Sequence, residues 1–266
     1  MTVVNQQYRK LNPAGGDPRE ISEIVNNLID GKSNNVGTVT LDTGWATTTT
    51  INNERIGYSS IILLAPSTDS AETDTAPYGG FSNNNGQTAP SSGTTAVVEF
   101  DTTDISNGVY LDNTTEIHVR NAGVYNIQYS LQLANSNNDG EYADVWFRIN
   151  GNDVADSGSR FYLPARKSTG DPSYLIGSMN FFVDLEADDY IELAGAVSNT
   201  TVVLDYLPAD VVIPRPAIPA VILTVQYIAP FSSDNVYVSS QQQGQATLSH
   251  FANDTADKTY KYLVVG

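Results

Sequence analysis

The chain has 266 residues, 13 Lys+Arg against 30 Asp+Glu, a formal net charge of −17 and no cysteine. So acidic a balance repels phosphate backbones and anionic lipid, and no run of Lys or Arg gathers the few cations into a patch, which excludes nucleic acid as a partner. Without cysteine there is no disulfide, thiolate metal site or Cys nucleophile, and the longest apolar runs, 61–66 and 217–225, fall far short of the roughly 20 residues that cross a bilayer, so no membrane insertion is expected.

The first ten residues lack the apolar core of a secretory signal, which predicts folding in the cytoplasm of the cell that makes the protein. Residues of about 18–30 then carry the one helical pattern. Asp17 is placed to N-cap, Pro18 to start the first turn and Glu20 to close a capping box, while Ile21, Ile24, Val25 and Leu28 recur at helical spacing before Gly31 stops the helix. At about three turns this helix is marginal alone in water, so its apolar stripe must dock, either on its own domain or on copies of itself. Isoleucine at both seam positions favours more than two strands, which makes Ile21, Ile24 and Leu28 candidates for a trimer contact.

Nearly everything else reads as strand. Segments 36–41, 46–51 and 59–64 are rich in Thr, Val and Ile between polar turns. Residues 67–95 are mostly Ser, Thr, Asn, Gly and Pro, the composition of a linker or long loop, and a domain boundary is expected there. From 96 to 228 the alternation is regular: Tyr125, Ile127, Tyr129, Leu131 and Leu133 face one way and Asn126, Gln128, Ser130 and Gln132 the other. Similar runs precede turns at Asn150-Gly151 and Asp188-Asp189, and Val221, Leu223, Val225 and Tyr227 form the last of them. Many short strands of this kind predict a β-sandwich.

The segments 121–130, 144–151 and 189–193, in this order and spacing and followed by a closing apolar strand, resemble the C1q/TNF-like jelly rolls, particularly those of phage virion proteins; the likeness covers about half the chain. The resemblance implies a two-sheet jelly roll that forms homotrimers, with aromatic and aliphatic residues of one sheet meeting on the three-fold axis. Trp146 and Phe182 fit that role, because each stands among polar residues on the outward side of its strand.

The flanks look like the two halves of a small β-rich module recurrent in phage structural proteins: 37–68 supplies the first half, and 235–240, 244–253 and 257–266 the second. The expected organisation is mainly β. A discontinuous base module of residues 1–66 plus 232–266, with one short N-terminal helix, accepts a jelly-roll knob of residues 96–231 through the 67–95 linker. Insertion of this kind suits a guest whose termini lie close together. Pro214, Pro216, Pro219 and Pro230 are expected to stiffen the return path.

No catalytic machinery is visible. The two histidines, His118 between Glu116 and Arg120 and His250 after Ser249, have no nucleophile motif beside them, and His250 is expected to hold strands together. Asp184, Glu186, Asp188 and Asp189 crowd one strand and turn rather than flanking a cleft, so they are read as turn residues. Residues 135–140 open like a Ca2+ loop, but the twelfth position is Trp146 where a bidentate Glu is required. Side-chain oxygens there can still collect Ca2+ weakly at a trimer axis; no other cofactor is expected.

Together these readings point to a non-enzymatic phage virion structural protein. Its partners would be two further copies of itself and the major capsid protein or another virion protein. The capsid surface, as a decoration, cement or head-fibre protein, is favoured over the tail, because three-fold capsid positions match a trimer. The rival within the virion is a tail fibre or spike recognising a host-surface receptor through distal loops that carry Asn137, Asp139, Arg166 and Lys167. A polysaccharide-degrading enzyme is a remote alternative, and a secreted C1q-like ligand is disfavoured by the flanks.

Overall fold

The computed structural model describes residues 3–5, 10–30, 34–68, 76–228, 236–254 and 256–265. They fall into two compact units, Met1–Thr75 with Phe231–Gly266, and Ala76–Pro230. The chain opens with β1 (Val3–Asn5), α1 (Pro18–Ile29), β2 (Val36–Thr40), β3 (Ala46–Asn52) and β4 (Ile61–Pro66). The second unit begins with β5 (Tyr78–Asn83), β6 (Gln87–Thr88), β7 (Ala96–Val97), β8 (Thr102–Asn107), β9 (Val109–Asp112) and β10 (Glu116–Val119). It continues with β11 (Gly123–Asn135), β12 (Glu141–Ile149), β13 (Asn152–Asp153), β14 (Ser159–Leu163), β15 (Ser173–Leu185), β16 (Tyr190–Val197), β17 (Val202–Leu204) and β18 (Val221–Tyr227). The chain closes with β19 (Tyr237–Gln242), β20 (Gln245–Asn253) and β21 (Thr259–Val265).

In the first unit β21 lies between β2 and β4, and β20 between β19 and β3. The C-terminal strands thus complete both sheets begun near the N-terminus, with Val36 opposite Leu263 and Thr48 opposite Ser249. Val39, Ile51, Ile56, Leu248, Tyr262 and Val264 form its core. His250 ties β20 to β3. The Asp42 amide donates to Thr49 Oγ1 at 2.7 Å, which lies 2.9 Å from His250 Nε2, and His250 Nδ1 is 2.7 Å from the Phe251 carbonyl. A proton on Nδ1 satisfies this arrangement, with the Thr49 hydroxyl donating to Nε2. Asp17 caps α1 as its position predicts, its carboxylate accepting the Arg19 and Glu20 amides; Gly31 lies outside the described residues.

The second unit is a sandwich of two antiparallel sheets. One runs β13-β12-β16-β10-β9, with β14 also on β12 and β7 on β16; the other runs β6-β17-β11-β18-β5-β8, with β15 on the free side of β11. The alternating residues of β11 meet Val145, Phe147, Ile191 and Leu193 of the facing sheet in one continuous core. Asn150 and Gly151 both take positive φ, as a primed two-residue hairpin turn requires, and Asp188 does so in the next turn.

Two expectations need correction. Residues 76–95 are not linker: β5 pairs with β18 along its length, and Phe81 is fully buried. The segment looks poor in core residues because Gly79 makes the room that Phe81 needs, a Cβ there falling 2.7 Å from the Phe81 ring. Pro214, Pro216 and Pro219 do not stiffen a return path either. Pro214 and Pro216 lie in the loop between β17 and β18, at the Val221 end of β18, whereas the unit's termini meet at the other end, where the Tyr227 amide donates to the Pro77 carbonyl at 2.9 Å. Pro230 lies outside the described residues.

Candidate functional site

The two outer faces of the sandwich differ in charge. On the β12 sheet, Asp144 receives two 2.7 Å hydrogen bonds from Arg160, whose guanidinium also lies 3.9 Å from the Tyr142 ring centre. Arg148 sits 3.4 Å from Glu192 and 3.2 Å from Asp153. Trp146 belongs to this network, its indole N–H donating to Asp153 at 2.7 Å, and it is half-buried. Charges paired in this way suit a face that meets water.

The outer face of the β11 sheet is built differently. Its rows carry Ile176, Ser178, Asn180 and Phe182 on β15, Asn126, Gln128, Ser130 and Gln132 on β11, and Ile222, Thr224 and Gln226 on β18. Among the described residues, Asp184 at one end of β15 is the only charged side chain on the outer faces of β15, β11, β18 and β5. Phe182 and Ile176 are each 61% exposed. Scarcity of charge around exposed aromatic and aliphatic side chains is the composition of an interface core.

Trp146 and Phe182, expected to share one patch, therefore stand on opposite outer faces, Trp146 among paired charges and Phe182 between Asn180 and Asp184 on its strand. The sequence shows that each points away from the core; which sheet each strand joins is decided by long-range pairing. In the other unit, α1 buries none of its residues, and Ile21, Val25 and Leu28 are exposed while Ile24 is half-buried.

The loops predicted to bind do gather at one end of the sandwich. Residues 136–140 follow β11, residues 164–172 precede β15, and the two segments touch: the Arg166 amide donates to the Asn137 carbonyl at 2.8 Å and Arg166 Nε to Asn138 Oδ1 at 2.9 Å. Lys167 reaches back to Asp171 at 3.6 Å, and Asn137 Nδ2 donates to Glu141. Asp139 contributes its carbonyl to Asn135.

Asn135 is the residue that sequence reasoning missed. It is fully buried, donates to the carbonyls of Asp139 and Pro164, and accepts from the Asn137 amide and the Thr201 hydroxyl, so one side chain pins three loops. The first position of the apparent Ca2+ loop is thereby turned inward. A second feature at this end is the apolar tip Val211-Val212-Ile213, with Val211 91% exposed. The Asp210 carboxylate accepts the amides of Val212 and Ile213, which holds its pKa below the usual range, and Arg215 grips the carbonyls of Pro208 and Pro216. Three aliphatic residues between Asp210 and Pro214-Arg215-Pro216 were the available signal.

Of the carboxylates read as turn residues, Glu186, Asp188 and Asp189 lie between β15 and β16, where Asp189 accepts the Glu186 amide and the Asn150 side-chain amide, whereas Asp184 stands on strand β15. No family model matches the chain, and no curated protein matches it.

Proposed function

We propose that the protein is a non-enzymatic structural component of a phage virion, a homotrimer that decorates or cements the capsid or forms a head fibre. In this reading the discontinuous unit attaches to the major capsid protein or another virion protein through surfaces that include α1. The sandwich is a C1q/TNF-like jelly roll whose β11 sheet faces the three-fold axis. The observation that carries the reading is the outer face of β15, β11, β18 and β5, which among the described residues carries one charged side chain, Asp184, on a chain of net charge −17. Three acidic copies approach most closely through a surface poor in carboxylates, and this face brings Phe182, Ile176 and Ile222, with Asp184 at one end of β15.

Two measurements test the proposal. The solution mass of the purified chain should be three times that of one copy, and immunogold labelling with antibody against residues 96–228 should spread over virion heads. A monomeric mass removes the trimer, and failure to label virions removes the location.

A second reading, a tail fibre or receptor-binding spike, is favoured by the loop end, where Arg166, Lys167 and the Val211-Val212-Ile213 tip are held on short hydrogen-bonded turns. Labels confined to the tail, together with blocked host adsorption by the purified protein, would establish it.

A further inference from the structure

The hairpin of β9 and β10 carries a cluster that none of these roles uses. Register places Tyr110 opposite His118 and Asp112 opposite Glu116. Because Val109, Ile117 and Val119 point into the core, strand alternation sets all four on the outer face. The side chains of Asp112, Glu116 and His118 converge, so that one ligand atom from each lies within 4.8 Å of the others.

Two features distinguish this cluster from ordinary surface acids. Like charges directly opposite on an antiparallel pair destabilise it, yet here Asp112 faces Glu116 and the imidazole is brought to both. The His118 ring is also held between two tyrosines, stacked on Tyr110 at 5.1 Å between centroids and tilted on Tyr190 at 5.2 Å, so its orientation is set before any ligand arrives. Arg120, the cation that directly follows β10, lies over the Tyr110 ring at 4.2 Å.

His118 Nε2 stands 3.3 Å from Glu116 Oε2. In a tetrahedral zinc site with bonds of about 2.0–2.1 Å, neighbouring ligand atoms are about 3.3–3.4 Å apart, so this separation already matches one edge of the polyhedron. Asp112, exposed on the partner strand, supplies the third ligand by a side-chain rotation. Its Oδ1 accepts the Asn113 amide at 2.9 Å, and Asn113 Nδ2, 3.3 Å from Glu116 Oε2, would give way to the ion.

We propose that Asp112, Glu116 and His118 Nε2 form a binding site for a divalent transition-metal ion of the zinc type, with water in the fourth position. One nitrogen and two carboxylate oxygens suit zinc, whereas Ca2+ requires six or more oxygens that this hairpin does not assemble. The bound ion would neutralise the opposed carboxylates and staple the edge hairpin of its sheet.

The test uses the full chain, stripped with chelator and titrated with ZnCl2 by calorimetry, and with CoCl2 to read the visible absorption of a four-coordinate site. The chain has two histidines, and His250 is buried with both ring nitrogens in contact, so the imidazole NMR signals separate the site from the rest. Expected are one zinc ion per chain, a shift of the His118 signals alone, and binding at least about ten-fold weaker in His118→Ala and in Glu116→Gln. Near-ultraviolet circular dichroism establishes that both variants keep the fold; if His118→Ala does not, Glu116→Gln decides. Absence of saturable binding, zinc affinity unchanged in the folded variants, or Ca2+ bound as tightly as zinc would each overturn the proposal.

Discussion

Asn135 and Pro164 are 29 residues apart in sequence, and the side-chain amide of the first donates to the carbonyl of the second at 2.9 Å inside the sandwich. The same side chain also satisfies Asp139, Asn137 and Thr201, so the loop end of this unit is organised by a single buried amide. Asn135→Ala removes four hydrogen bonds made by a buried side chain to half-buried and exposed loop residues and should cost about 2 to 3 kcal/mol. Urea unfolding measures that loss, and hydrogen exchange should quicken at 137–139 and 164–166 well before it does in β11. Uniform loosening of the sandwich would show that Asn135 acts as general core instead.

Placing Trp146 and Phe182 on opposite faces separates two otherwise equivalent substitutions. Phe182→Asp puts a second carboxylate beside Asp184 in a face otherwise poor in charge and should convert the assembly to single copies in light scattering. Trp146→Asp loses the hydrogen bond to Asp153 and sets another acid beside it, which weakens the fold modestly and leaves the mass unchanged. The reverse pattern would move the self-association surface to the β12 sheet.

Gly123 starts β11 at φ +144, and a Cβ there would lie 2.5 Å from the Tyr227 ring. That ring packs edge-on against Tyr125 at 5.3 Å, so it has little freedom to retreat. Gly123→Ala should therefore destabilise the sandwich by about 1 to 3 kcal/mol, seen as a lower denaturant midpoint with an unchanged slope. A midpoint within error of the parent would mean that Tyr227 swings aside without cost.

Burial pushes the Tyr129 hydroxyl from its ordinary 10.0 up to about 12. Tyr125, which donates to the Asn121 carbonyl at 2.7 Å, is raised as well, by burial first and by Tyr227 second. The unfolded chain releases these protons more readily than the folded one. Their contribution to stability is complete below about pH 10 and is lost as pH rises toward 12. The denaturant midpoint should fall across that window, and less steeply in Tyr129→Phe; equal slopes in the two proteins would assign the fall to other groups.

Local pattern was enough to identify α1, its Asp17 cap, the alternating strands β11, β12, β15 and β18 and the turns at Asn150 and Asp188, because capping, period-two alternation and left-handed turn positions depend on residues only a few places apart. The sandwich core was legible for the same reason, through Tyr125, Ile127 and Tyr129. Tertiary structure alone decided what long-range pairing controls: that β5 belongs to the sandwich although glycine and asparagine dilute its signal, that Trp146 and Phe182 look out from different sheets, that Asn135 turns inward, and that Asp112, Glu116 and His118 converge. Alternation says whether a side chain faces core or solvent. Only the hydrogen-bonded register between strands says which other side chains it meets there.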